Sequence, residues 1–293
     1  MSAAELTVVG FRLPFRHFSD PAQLKSVMLS HIAGAGVPTE SLVVFPGLMA
    51  MGLLPAELSM VPVGLAERLR QAGADLEASY LAIGEELARE RHIYLVPGSV
   101  WLPAPIGYTH RAALFDPEGR LLGWQEQTHA YLWEAELIAA AEVAVWQVGP
   151  MRVGLLLGAD PWVPEVSRVL TLQGADLLVA PLAPIAPYGS ARAMAGLWQE
   201  VQQNQTFGLE TGLSGTFFDL GVDGKLAVFA PCELTPGETG FFGEAGYVLS
   251  QQVRSAKLEP ADLYALRERY PLLRHLNPDL YRRHWQERPE ARP

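Results

Sequence analysis

Residues 152–183, "RVGLLLGADPWVPEVSRVLTLQGADLLVAPLA", constrain the fold of this chain more than any other stretch. An apolar run ends in a tight turn of small residues, Gly158 and Ala159, and Pro164-Glu165 then open a helix. The helix runs to Gln173, Gly174 stops it, and a second apolar run follows. Two strands joined through a helix form the crossover that a parallel pair requires. A strand that breaks sharply into a helix is also a good mount for a nucleophile. The turn exposes one side chain, and the helix N-terminus supplies N–H groups that stabilise negative charge. Here the turn presents no nucleophile.

Apolar runs alternate with helical patterns along the whole chain. Residues 6–13 read as a strand, and Ser19 or Asp20 with Pro21 caps a helix that stops at Gly34-Ala35-Gly36. Residues 41–47 read as a buried strand, 64–91 as helix with a break near Gly73, and 93–102 as strand. Pro117-Glu118-Gly119 and Gly149-Pro150 mark two hairpins, and Asp223-Gly224 marks a third. A helix at about 191–205, a late strand at 246–258, a short helix from Pro260 and a polar Arg- and Pro-rich tail complete the pattern. This mixture predicts one α/β domain over residues 1–270, with helices outside two packed sheets, and a C-terminal arm over 271–293.

Composition excludes several functions. With 49% hydrophobic and 18% charged residues the chain reads as globular. A net charge of −10 repels phosphate backbones, so no nucleic-acid partner is expected. No stretch reaches the ~18 uninterrupted apolar residues of a membrane span. Cys232 is the sole cysteine, which rules out an intrachain disulfide and a cysteine metal cluster. The first residues lack the basic start and apolar core of a signal peptide, so a cytoplasmic location is expected.

Four segments, in order, resemble the carbon–nitrogen hydrolase (nitrilase) superfamily. They are "SLVVFPGLMAMGLL", "GYTHRAALFDPEGRLLGWQEQTHAY", the 152–183 stretch and "LYALRERYPLLRHLNPDLY". The resemblance implies a four-layer α-β-β-α sandwich. It also implies a glutamate as general base, a lysine beside the developing oxyanion and a cysteine nucleophile. Carried over by position, the glutamate falls on Gly47, the lysine on Gln127 and the cysteine on Gly158. The flanks hold their spacing: Phe45-Pro46 precede Gly47, Thr128-His129 follow Gln127, and Asp160, Pro164 and Glu165 follow Gly158. Trp162 stands where the family carries an arginine. The resemblance therefore implies a fold without its reacting groups.

The remaining candidates have plain readings beside sharp ones. Asp160 reads as a cap of its turn rather than a catalytic group. His129 reads as a structural hydrogen-bonding residue, since no second histidine stands at metal spacing. Glu134 and Glu136 read as surface residues. Either one, if buried, would lack a cation and sit neutral with a raised pKa. Cys232 reads as passive.

The expected function is a non-hydrolytic protein with a small-molecule pocket or a scaffold role. Phe45, His129, Glu134, Glu136, Asp160 and Trp162 are expected around a cavity bordering Gly47, Gln127 and Gly158. The alternative is an active amide or nitrile hydrolase with relocated residues. No cofactor or metal is expected. A homodimer or larger even oligomer is expected through helices 164–173 and 191–205.

Overall fold

Strand β1 lies at the centre of the molecule because it alone pairs into both halves of the sheet. The computed structural model describes residues 5–61, 63–72, 75–243 and 246–285. The order is β1 (Leu6–Pro14), α1 (Pro21–Gly34), β2 (Leu42–Val44), α2 (Leu65–Ala72), α3 (Leu76–Arg91), β3 (Tyr94–Val96), β4 (Val100–Pro103), β5 (Tyr108–Phe115), β6 (Leu121–Glu126), β7 (Val145–Val148) and β8 (Met151–Leu155). There follow α4 (Pro164–Leu172), β9 (Leu177–Leu182), α5 (Ser190–Ala193), α6 (Gln199–Asn204), β10 (Phe207–Phe217), β11 (Leu220–Asp223), β12 (Ala227–Phe229), β13 (Val253–Leu258), α7 (Pro260–Arg269) and α8 (Pro278–Trp285).

Among the described residues the main path of the sheet is β4-β5-β3-β2-β1-β10-β9-β8-β7. β1 pairs in parallel with β2 through Val8–Gly10 and with β10 through Arg12–Pro14, so the sheet turns from one layer to the other along this strand. β8 and β9 are parallel with α4 between them, as the 152–183 pattern predicts.

Alternating side chains build four layers. On β1, Leu6 and Val8 point between the two half-sheets, while Val9, Phe11 and Leu13 point toward α1 and α3. On β9, Leu177 and Val179 enter the inter-sheet core, while Leu178, Ala180 and Leu182 meet α4 and α6. The sequence is therefore apolar on both faces of its central strands, and helices cover both outer faces. Each fully buried Leu or Val contributes ~1.5–3 kcal/mol against the entropy of ordering it. The α-β-β-α expectation holds. No helix among the described residues is long and apolar enough to cross a membrane.

Four local expectations are corrected. Residues 93–102 form two strands, because the Pro97-Gly98 step turns the chain: Gly98 has φ +93° and any side chain there would strike the Pro46 carbonyl. The third hairpin turns at Phe218-Asp219, since Phe217 pairs with Leu220. Asp223-Gly224 instead marks where β11 hands over to β12, with Gly224 passing directly against Gly212. The late strand covers only 253–258. The tail contains α8. The expected break near Gly73 lies outside the described residues, between α2 and α3.

Candidate functional site

Three turns at the ends of β2, β6 and β8 converge on one spot. After β2, Leu48 takes a left-handed conformation (φ +61°) and its N–H bonds to the Ser99 carbonyl and hydroxyl. After β6, the Gln127 N–H bonds to the His110 carbonyl. After β8, the turn at Gly158 has φ +50°, a conformation glycine adopts without strain.

Asp160 locks two of these turns together. Fully buried, it accepts hydrogen bonds from the N–H groups of Thr128, His129 and Leu157 and from the Thr128 hydroxyl at 2.8–3.3 Å. The carboxylate therefore holds the 127–129 loop against the turn after β8. The expected helix cap is corrected, since the N-cap positions are Ala159 and Val163 and the bond that Asp160 accepts within the turn comes from the Leu157 N–H.

The Gln127 side chain, fully buried, lies directly over Gly158, where a Cβ would overlap its amide. Its Nε2 donates to Glu134 Oε2 (2.8 Å) and to the His129 carbonyl (2.6 Å). Two acceptors on that side leave Oε1 facing His110, whose Nδ1–H donates to it at 2.6 Å. His110 Nε2 then accepts the Ser99 hydroxyl at 2.6 Å. A continuous relay runs from Glu134 through Gln127 and His110 to Ser99.

Burial dominates the electrostatics. Desolvation pushes His110 down to about 4, only partly opposed by Gln127 and the Asp160 charge, so the imidazole is neutral. Desolvation pushes Glu134 up to about 7, against hydrogen bonds from the Tyr131 N–H and Gln127. Glu134 is 3% exposed and has no lysine beside it. The surface reading of Glu134 is thus corrected: it is a buried carboxylate lacking a cation.

The expected cavity is also corrected. A pocket of about 50 Å³ borders Gly158, His110, Glu134, Tyr131 and Trp133, but not Gly47 or Gln127. The space expected at the glycines is taken. A Cβ on Gly47 would lie 2.5 Å from the Pro181 carbonyl oxygen and 3.0 Å from the Ser99 hydroxyl, and Gln127 covers Gly158. Interior voids that neighbours can reach are closed, because empty space forfeits dispersion contacts.

Of the other expected pocket residues, Phe45 turns away and stacks on Phe11 at 4.8 Å in the core under α1. Glu136 accepts the N–H groups of Gly64 and Ala66 at the start of α2. His129 bonds Thr128 and lies 3.4 Å from Glu165, facing a separate groove. Trp162 donates to the Arg192 carbonyl and packs on Gly196, outside the cavity wall. Cys232 is distant and half-buried, and burial pushes its thiol up. Ser99, His110 and Arg192 were not among the sequence candidates. The available signal was a histidine inside the apolar strand "YTHRAALF", where a buried imidazole needs partners for both nitrogens.

Glu134 titrates higher in the folded chain than its ordinary 4.5, so folding takes up its proton. Its stabilising contribution is complete below about pH 4.5 and is lost as pH rises through 7. Relative to wild type, Glu134→Gln should therefore gain stability on going from acid to neutral pH, by about 3 kcal/mol. Urea midpoints of both proteins across that range check the sign.

The carbon–nitrogen hydrolase family model matches residues 12–209, a span that includes Gly47, Gln127 and Gly158. A curated nitrilase from Pyrococcus abyssi is 29% identical over 111 residues, covering 37% of this chain and 41% of that protein. The matched stretch is thus about two fifths of that relative's length. Among solved structures, a variant of an amidase of the nitrilase superfamily from Nesterenkonia AN1 superposes with a TM-score of 0.70 at 21% identity, over 97% of this chain and 98% of that one. A carbon–nitrogen hydrolase from Helicobacter pylori G27 superposes with a TM-score of 0.76 at 16% identity, over 98% and 99%. At these identities the likeness of the structures concerns the fold.

Proposed function

Because this chain belongs to the carbon–nitrogen hydrolase family, we propose that it is a member that binds a small molecule without hydrolysing it. The observation that carries this reading is the Gln127 amide seated over Gly158 and held at both ends by His110 and Glu134. No nucleophile can occupy Gly158 while that amide is in place. No thiol, carboxylate or ammonium stands at the three positions where the family resemblance puts them. Loss of a nucleophile or its base alone costs on the order of 10⁴–10⁶ in turnover.

A second reading has one observation in its favour. Ser99, His110 and Gln127 follow the order of nucleophile, base and orienting group. Two features weigh against it. Ser99 is fully buried away from the cavity wall, and the Leu48 N–H occupies one of its lone pairs. Ammonia release from nitriles, primary amides and N-carbamoyl amino acids decides between them. The expected rate is background. A rate abolished by Ser99→Ala would establish relocated chemistry instead, and one abolished by Cys232→Ser would place it at the thiol.

The proposed assembly is a homodimer. Val169 and Leu172 of α4 are exposed and border a groove of about 1,260 Å³ shared with Leu273, Leu276 and Tyr281 of the C-terminal arm. An apolar groove of this kind suits a second copy of the chain. The 191–205 segment contributes less than its sequence suggests, since Leu197 and Val201 are core and Met194 and Trp198 pack against it. The single cysteine fits a reducing compartment, and cytoplasm is the proposed location. Sedimentation should give twice the 32.0 kDa chain mass. Leu172→Glu should shift it toward monomer, and a wild-type monomer at micromolar concentration would remove the proposal.

A further inference from the structure

The cavity beside Gly158 has an acidic and a basic side chain on its wall, and neither makes an ion pair among the described residues. Inside, Glu134 receives hydrogen bonds from Gln127 and the Tyr131 N–H but makes no ion pair among the described residues. Asp160, a charge of the same sign, acts on it and raises its pKa. Arg192, on α5, lines the same cavity from its exposed side and also makes no ion pair among the described residues. Its charge acts on Tyr131 and Tyr188, two rings close to the cavity.

Aromatic faces fill the wall between them. Trp133 stacks on Tyr131 with centroids 5.9 Å apart, and Trp101 meets Trp133 and Phe217 edge-on at 6.2 and 5.8 Å. Such faces attract a cation through their quadrupoles.

We infer that this cavity is a binding site for a small amino acid in its zwitterionic form, with the ammonium against Glu134 and the aromatic faces and the carboxylate held by Arg192. The inference rests on the reading of the site as a binding pocket. An organic cation alone would leave Arg192 facing a like charge. An anion alone would be set against Glu134, and a neutral amide would leave both charges unpaired. Size sets the class further. At ~10–15 Å³ for each water-sized group, about 50 Å³ holds roughly three to five groups, so only the smallest amino acids suit a site whose Arg192 end is exposed.

Calorimetric titration of the purified full-length protein tests this with four probes: β-alanine as the zwitterion, and ethylammonium, propionate and propionamide as analogues lacking one or both charges. β-Alanine should bind at least ~10-fold tighter than each analogue. Arg192→Gln, an exposed change, should bring β-alanine and ethylammonium to about equal affinity. Glu134→Gln, checked for folding by its urea midpoint, should weaken both. Propionamide binding as tightly as β-alanine would overturn the inference. So would an unchanged preference in Arg192→Gln, or no binding of β-alanine, glycine or alanine at about 10 mM. Ammonia release is followed in the same samples. Turnover of propionamide would remove the non-hydrolytic reading, while silence toward it together with failed amino-acid binding would remove only this inference.

Discussion

One amide determines the state of the whole site. Gln127 can donate only through its nitrogen and accept only through its oxygen. The nitrogen faces the Glu134 carboxylate and the His129 carbonyl, so the oxygen faces His110. This makes Nδ1 the protonated nitrogen of His110 and leaves Nε2 to accept from Ser99. An ammonium in the same place would have no acceptor to offer and would meet His110 as a second donor. Every donor and acceptor from Glu134 to Ser99 is therefore specified by a single uncharged side chain.

The frame around that amide is built for accuracy. Asp160 ties the loop carrying Gln127 to the turn carrying Gly158 with several charge-assisted hydrogen bonds. The Pro181 carbonyl closes in on Gly47 from the other half-sheet, and the Ser99 hydroxyl from its own. The four layers thus bring strand ends from both halves within contact of one another, and the missing side-chain bulk is replaced by neighbours rather than by solvent. What survives is a small pocket whose buried carboxylate, Glu134, makes no ion pair among the described residues.

Much of this was legible in the sequence, and the exceptions have physical causes. Leu177–Leu182 and Leu6–Leu13 announced themselves as strands because both faces of each are apolar, and the Asp20-Pro21 cap is where its pattern placed it. The hairpin turn was misplaced because Asp-Gly is a strong turn signal. Here its glycine serves instead for the close approach to Gly212. Within the site, the family resemblance implied a raised pKa for a glutamate only if it were buried without the lysine, and both Glu134 and Glu136 read as surface residues. Two residues apart, they part company because Glu136 reaches the N–H groups at the start of α2 while Glu134 turns in to Gln127 and the Tyr131 N–H. The cavity was misjudged because deleted side-chain volume can be read from a sequence, whereas the side chains that refill it come from distant segments. Ser99 went unread for the same reason, and His110, though marked by its place in an apolar strand, acquires its role only from Ser99 and Gln127.

The protonation state of His110 reports on this account most directly. Nitrogen-15 correlation spectra of histidine-labelled protein distinguish the two neutral tautomers and the imidazolium. With Gln127 in place over Gly158, His110 carries a proton on Nδ1, a bare Nε2 and no charge at pH 6, where an ordinary exposed histidine is largely protonated. A proton on Nε2, or an imidazolium at that pH, would mean that Gln127 is turned the other way or absent from its place over Gly158, and would contradict the account.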